Sequence, residues 1–430
     1  MKEFFDVAVI GGGAAGLCAA VRLRQTSGLS VVILEKLSRV GKKLGVTGNG
    51  QCNITNTRIS RQRYHGEHTA FTDYALENYD NAFVEKFFGD LGVLFTYDNV
   101  GRVYPYSLQA SSVSDALRFA TDDLGITTYT DSTVSALNKT EKGFELVTDE
   151  RVICAKTVIV AAGLRSGEAA LMADSDILRL LKNMGYPTVK MSPSIVQLRS
   201  NDEQNILKQL SGIKVRARAT LMRGSEKIRS EFGEVMFRDY GLSGPAIMQL
   251  AREVGRRTGN YAVYLDLMPE YDFETLWHML SRRAVSMSDR TMTEFLTGML
   301  NKRPGQVILK LLGFKLSDRA ALLTEPQIKQ LANLIKNLRI DIFDTADFKH
   351  SQVTAGGLDT GSFDDKTMMS KRDAGLFAAG EILDIDGDCG GFNLQWAWSS
   401  ACCAADGVVK YFEKTSDNQK ENKADNASDK

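Results

Sequence analysis

The apolar positions of this chain open as a short unbroken run. "DVAVI" at residues 6–10 shows no polar alternation after its first acid, which predicts a strand buried on both faces, as in a parallel sheet. A glycine turn and "AAGLCAAVRLRQ" follow, the start of a predicted helix. "SVVILEK" at 30–36 is a second buried run. Strand, tight glycine turn, helix and strand make a βαβ unit. Residues 133–163 predict three short strands split by "KTEKG" and "TDE" turns, and the buried strand "TVIVAAG" follows.

The pattern turns β-rich again between 195 and 265, in "SIVQLRS", "KVRARATLMR", "EVMFRD" and "YAVYLDL". Residues 272–337 predict helices: Asp272 can cap "FETLWHMLSRR", Pro304 suits a first-turn position, and Thr324 can cap "EPQIKQLANLIKNL". Near 353 the glycine-rich style of the N-terminal region returns, in "VTAGGL" and "GLFAAGEILDIDGDCGGFNLQWAWSS". The last stretch, "EKTSDNQKENKADNASDK", holds no large aliphatic residue and predicts a disordered tail.

The motif "VIGGGAAGLCAA" gives the first strand–turn–helix a chemistry. It contains Gly11-x-Gly13-x-x-Gly16, directly after a strand and at the opening of a helix, with Ala14 and Ala15 inside it. Glu35 ends the next strand, 19 residues past Gly16, and Lys36 follows it. In that context the three glycines are a dinucleotide fingerprint. Gly11 permits the tight turn, Gly13 lets the backbone approach a pyrophosphate, and Gly16 lets the helix pack close to the sheet. Free N–H groups at the helix start then face the phosphates, and Glu35 accepts from a ribose diol. No Lys-Ser/Thr follows the glycines, so the turn is not a P-loop.

An acid after the second strand serves NAD or FAD equally. The further glycine-rich stretches favour the longer FAD. "GKKLGVTGNGQCNITN" at 41–56 is too polar and too glycine-rich to form a core. "GLFAAGEILDIDGDCGGFNLQ" reads as a strand, the acid turn Gly380-Glu381, a loop, and a helix beginning near Gly391. A carboxylate at such a turn can hold ribityl hydroxyls. A helix N-terminus at the flavin N1/C2 edge favours the anionic reduced flavin.

Four stretches carry a resemblance: the 41–56 loop, "DYGLSGPAIMQL" (239–250), "SQVTAGGL" (351–358) and "GEILDIDGDCGGFNLQWAWSSA" (380–401). With them the chain resembles, over nearly its whole length, the HI0933-like family of FAD-dependent oxidoreductases. The resemblance implies an α/β fold: a Rossmann-like FAD-binding domain of the two-dinucleotide-binding flavoprotein type, with an inserted β-rich, barrel-like subdomain and a small helical subdomain. The expected boundaries are 1–190 plus 345–412 for the FAD-binding domain, 191–268 for the β-rich insert, 269–344 for the helices and 413–430 for the tail. The resemblance also implies that the 41–56 loop wraps FAD. Lys42 and Lys43 then lie by the phosphates or adenosine ribose. Thr47, Gly48, Asn49, Gln51, Cys52 and Asn53 run toward the ribityl chain and ring. Val134 meets the adenine, and Ala162 and Gly163 pass near the pyrophosphate. Gly380, Glu381, Asp384, Gly391, Phe392, Asn393 and Leu394 close the flavin end.

Two departures stand out. Leu164 takes the place of a family glycine, within an altered 164–176 segment, and Asp239 stands where the family often has His. If that position moves protons, its working pH falls, since reference pKa values are about 3.9 for Asp and about 6.5 for His.

Composition narrows the function. Lys plus Arg equals Asp plus Glu at 53 each, against a general polyanion binder. No apolar run approaches the roughly 20 residues of a membrane span. The first residues lack a signal-peptide h-region, and six cysteines include no CxxC pair, which together predict a reducing cytoplasmic setting. Cys52 has no CxxxxC partner, so a redox disulfide is not expected there, and the four scattered histidines complete no metal site. Asp239 and Tyr240, and after them Tyr104 and Tyr106 in "GRVYPYS", are the proton-donor candidates. Lys214, Arg216 and Arg218 share one face of a predicted strand, either as a charged edge guard or as a rim for an anion or RNA. The expected activity is NAD(P)H-driven hydride transfer through flavin N5 to a small organic acceptor such as an activated C=C bond. The alternatives are an amine oxidase using O2 and reduction of uracil in RNA; a flavin binder without catalysis ranks last.

Overall fold

The computed structural model describes residues 2–167, 176–201, 204–256 and 258–428. It divides into two compact units, Met1–Met191 with Gln352–Lys430, and Ser192–Ser351.

The first unit is built on one sheet. Strand β1 (Lys2–Ile10) lies parallel to β2 (Val31–Leu34) on one side and to the strand Val152–Val160 on the other. Thr127–Tyr129 adds a parallel strand beyond β2, and Leu376–Ala378 lies parallel to Val158–Val160. Gly143–Val147 and Ala136–Thr140 continue the sheet antiparallel. Val7, Ala8, Val9, Val32 and Ile33 are fully buried, as the unbroken apolar runs require.

Helix α1 (Ala14–Thr26) packs on this sheet and against the C-terminal helix Phe392–Ser428. The two helices are joined by a two-pronged ion pair: Arg22 donates to both oxygens of Asp406 at 2.9 Å, and the Tyr79 hydroxyl donates to Asp406 at 2.8 Å. Trp396 and Trp398 are buried with their indole N–H groups satisfied, on Gly380 O at 3.2 Å and Ile54 O at 3.0 Å. Beyond the buried Val408 the same helix runs on to Ser428, through the segment expected as a disordered tail. Its Lys, Glu, Gln and Ala residues favour helix even without an apolar face.

The second unit holds a seven-stranded antiparallel sheet. Its order is Leu338–Ile342, Tyr261–Asp266, Lys214–Arg223, Glu226–Arg238, Gly241–Ser243, Leu198–Arg199, Asp344–Thr345. The first and last members are consecutive in sequence, with only Phe343 between them, so the sheet closes on itself as a barrel. Helices Phe273–Ser286, Lys302–Leu311 and Glu325–Lys336 share one apolar core with the barrel, in which Ala217, Phe237, Leu280, Phe295 and Leu331 are all fully buried. Asp272 caps the first of these helices through Thr275 N at 2.7 Å, and Thr324 caps the last with a capping box.

The strand Lys214–Arg223 pairs along its whole length with Glu226–Arg238, but with Tyr261–Asp266 only from Arg218 to Arg223. Arg218 is therefore flanked on both sides, where no edge needs guarding, while Lys214 and Arg216 stand on a stretch with one strand neighbour, as an edge guard does. Here Lys214 pairs with Glu234 at 3.0 Å, and the Arg216 guanidinium lies 5.3 Å from the Phe232 ring centre.

Because barrel and helices share one core, Phe295→Ala should destabilise the whole second unit by about 3–5 kcal/mol. Urea unfolding followed by the Trp277 fluorescence, with the Trp396 and Trp398 signals removed by substitution, would report it. An unchanged midpoint would mean that Phe295 adds nothing to a core shared with Trp277.

Candidate functional site

The site grows from the turn between β1 and α1. Gly11 has φ +102°, and a Cβ there would stand 2.7 Å from Ala161 O, so the turn presses on the chain leaving Val152–Val160. A Cβ on Gly16 would meet Gly11 O at 1.8 Å; only glycine lets the helix come this close. Gly13 differs from both, since a Cβ there meets nothing within 4 Å. It faces open space at the helix start, with no acidic residue in the first turn and no side-chain cap on the free N–H groups.

Glu35 is buried, and each carboxylate oxygen accepts one backbone N–H: Gly12 at 2.6 Å and Leu37 at 2.8 Å. The 41–56 loop is tied to the same turn, because Gly41 N donates to Gly12 O at 2.8 Å. The loop then twists through left-handed positions at Gly48 (φ +57°), Asn49 (φ +56°), Gly50 (φ +83°) and Cys52 (φ +56°). Asn and Gly tolerate this region; Cys does so only when the surroundings fix it. Here Cys52 N donates to Thr47 O at 3.0 Å and its side chain is fully buried, which pushes the thiol up to about 12.

The acid turn closes onto the first one. Gly380 (φ +76°) lies so near α1 that a Cβ would come 2.8 Å from the Ala15 Cβ, and its N–H is held by Ser400 Oγ at 2.9 Å. Glu381 then meets Lys43 of the loop at 2.5 Å and accepts from Thr354 N at 2.9 Å; Ser166 also bonds Lys43. A Cβ on Gly163 would lie 3.5 Å from Glu381 Oε2. Gly391 sits against Thr55 O and Asn53 Oδ1, at 2.4 and 2.9 Å from a Cβ built on it. Asn393 is fixed by Gly387, whose N–H it accepts and whose carbonyl it donates to, both at 2.8 Å. Asp384 accepts from Glu67 N at 2.8 Å.

Chain segments from both ends of the sequence therefore meet at one place: Gly11–Gly16, Glu35, the 41–56 loop, Ala162-Gly163, Gly380-Glu381 and the start of the last helix. Lys43 stands on Glu381, the residue expected at the ribityl end, while Lys42 is exposed. Val134 is buried just past Ser132, whose N–H donates to Glu35 O at 2.9 Å. Leu164 turns into the core beside Gly357, while Ala162 stays exposed. The rest of the altered segment, from 168 to 175, lies outside the described residues. Asp239 and Tyr240 belong to the second unit, both exposed, where Tyr240 O accepts from Ser200 N at 3.0 Å.

Two observations fit FAD to this cradle: the open space over Gly13, and the buried Asn53 Oδ1, which has no hydrogen-bond partner. Sequence reasoning missed Ser166 and Thr354, although Ser166 lies in the altered 164–176 segment and Thr354 in the 351–358 motif.

A model of the HI0933-like protein Rossmann domain matches residues 5–407. The chain is 32% identical to a 3-dehydro-bile acid delta(4,6)-reductase of Clostridium scindens over 93% of its own length and 97% of that protein. It is 27% identical to a ribosomal RNA dihydrouridine synthase of Haemophilus influenzae, over 94% and 98% respectively. Among solved structures, a 3-ketosteroid delta1-dehydrogenase from Sterolibacterium denitrificans superposes with a TM-score of 0.50 at 12% identity, over 95% of this chain and 99% of that one, a likeness of fold.

Gly13→Ala should fold with an unchanged apoprotein melting temperature, because the added methyl meets no atom, yet bind FAD at least about tenfold more weakly, or about 1.4 kcal/mol. Fluorescence titration of the apoprotein with FAD separates the two effects. The Cys52 thiol stays neutral through the whole range from pH 7 to 10, since thiolate forms only as pH nears its raised pKa. Mass spectrometry should therefore find it unlabelled by iodoacetamide at pH 8 in the folded protein and labelled in urea.

Proposed function

From the premise that the chain belongs to the HI0933-like family of FAD-dependent oxidoreductases, we propose that it reduces an activated C=C bond of a small apolar ketone with electrons from NAD(P)H. One observation carries the choice of acceptor. Beside the 41–56 loop the chain exposes large apolar side chains: Val46 at 71%, Leu94 at 73%, Tyr106 at 70% and Leu108 at 45%. Tyr106 N donates to Leu94 O at 2.7 Å and Leu108 N to Pro105 O at 2.8 Å, and the Leu44–Val46 turn packs on the helix that follows Leu108. Exposed apolar groups around a cofactor cradle suit a flat apolar molecule. The relative from Clostridium scindens is named as a delta(4,6)-reductase of a 3-dehydro-bile acid.

In this reading Gly11, Gly13 and Gly16 with the α1 N–H groups hold the pyrophosphate, and Glu35 holds the adenosine ribose. The 41–56 loop, Glu381 and the residues from Gly391 to Leu394 hold the remainder. FAD, when bound, supplies the centre that takes up hydride and gives it on. Lys43 compensates the charge of Glu381, so the carboxylate can sit within a cofactor site without an unpaired charge. Cys52 stays a neutral thiol and fills space. Asp239 or Tyr240 protonates the carbon next to the one that receives hydride.

Reduction of an RNA uracil is the second reading. It draws on the dihydrouridine synthase among the relatives and on the exposed Lys214, Arg216 and Arg218. The Glu234 partner of Lys214 and the balanced charge of the chain weigh against it.

Anaerobic mixing with NADH and NADPH separately should bleach the bound flavin with one of them, and a steroid enone should restore the colour. Slow bleaching by both, with peroxide released from an amine, would point to an oxidase instead; restoration by a uracil-containing RNA alone would favour the second reading. Asp239→Asn or Tyr240→Phe should slow the enone step about 10²–10⁴-fold while flavin reduction by NAD(P)H holds its rate. Equal loss in both steps would remove these two residues from proton transfer.

A further inference from the structure

The strand Arg102–Pro105 alternates strictly: Val103 and Pro105 are buried, while Arg102 and Tyr104 share the other, half-buried face. That face is framed by two glycine-rich loops of the cradle. A Cβ on Gly48 would lie 4.0 Å from the Tyr104 ring, and a Cβ on Gly390 would lie 3.4 Å from Arg102 Nε. The frame is fixed. Asn56 donates to Gly390 O at 2.8 Å and pairs with Arg102 in the sheet, and Arg102 N donates to Asp98 Oδ1 at 2.9 Å.

The guanidinium has two neighbours, Asp98, whose Oδ2 lies 3.9 Å from its Nη1, and the Tyr104 hydroxyl. A guanidinium has five N–H donors, so capacity remains. It lies beside the Tyr104 hydroxyl and acts on it: burial raises the phenol's pKa, and Arg102 pulls it back down. A cation and a hydroxyl donor thus stand together at the border of the cofactor cradle, next to the apolar rim.

We propose that Arg102 and Tyr104 hold the carbonyl oxygen of the acceptor and stabilise the charge that gathers there, which makes both catalytic residues. This rests on the enone reading above. Hydride forms a new C–H bond at the β-carbon, and the electrons of the C=C bond move toward the carbonyl, leaving an enolate. Arg102 N–H and Tyr104 O–H donate to the enolate oxygen. The α-carbon then takes a proton and the carbonyl re-forms. The acceptor gains one hydride and one proton, NAD(P)H is oxidised to NAD(P)+, and neither residue is consumed. The pair also sets specificity, since an alkene without a conjugated carbonyl offers it no oxygen.

The test uses the FAD-loaded enzyme and the variants Tyr104→Phe, Arg102→Gln and Arg102→Lys, each first matched to the parent in FAD content and melting temperature. The probe is 4-chlorophenol, whose phenolate mimics an enolate oxygen. Its binding is followed by calorimetry across pH and by the charge-transfer absorbance of a phenolate over oxidised flavin. The parent should bind phenolate at least about tenfold more tightly than phenol, and Tyr104→Phe and Arg102→Gln should lose that preference. Each of these variants should lower kcat for an enone about 10²–10³-fold, with flavin reduction by NAD(P)H within about twofold and Arg102→Lys recovering part of the loss. Unchanged phenolate preference and enone kcat in both variants would overturn the pair and leave the enone reading standing. A parent that reduces no enone, yet binds phenolate in a way that these substitutions abolish, would support the pair and overturn the acceptor class.

Discussion

Everything at the cofactor cradle depends on how closely α1 approaches the first strand. At Gly16 and Gly11 the approach leaves no room for a methyl group. With the helix that near, Gly12 can donate its N–H to Glu35 while its carbonyl accepts from Gly41, so one turn fixes both the buried acid and the start of the long loop. It also lets Gly380 sit directly on Ala15, which brings the acid turn of the distant C-terminal segment to the same helix end. A single tight contact thus sets the positions of three segments far apart in sequence. A larger residue at either glycine would displace all three together.

The βαβ unit was readable because its signals are local: unbroken apolar runs, three glycines at fixed spacing, and an acid at the end of the second strand. The caps at Asp272 and Thr324 and the strands Ala136–Thr140 and Gly143–Val147 were readable for the same reason, whereas the third short strand and "TVIV", expected as two, form the single strand Val152–Val160, since no turn residue parts them. The glycine-rich stretches already favoured FAD and the pattern already turned β-rich at 195–265; the resemblance of four motifs joined these into one flavoprotein family. Strand neighbours were not readable. Periodicity shows which side chains face out, but it does not show what lies on either side of a strand, so it does not reveal that Lys214–Arg223 gains its second neighbour only from Arg218 onward.

The site shows the same division. Residues with unusual backbone needs, such as Gly11, Gly48 and Gly391, announce themselves in sequence. Residues whose role comes from a partner across the fold do not. Lys43 reaches Glu381 over a separation of 338 positions, and nothing in either stretch says so. Arg102 owes its place to Gly390, far along the chain, against which its Nε lies. Polar groups satisfied at long range, such as Trp398 on Ile54 and Gln395 on Tyr79, belong to this class too.

The order of the chain also bears on how the protein is made. The first unit needs Leu376–Ala378 for its sheet and the buried residues of the last helix for its core, and both are synthesised after the whole of Ser192–Ser351. At about 5–20 residues per second, roughly ten to thirty seconds pass on the ribosome while that stretch emerges. The barrel closes using only its own residues, so it can fold in that interval. The βαβ segment meanwhile waits with the apolar face of α1 bare, a ready client for a chaperone until the final helix arrives.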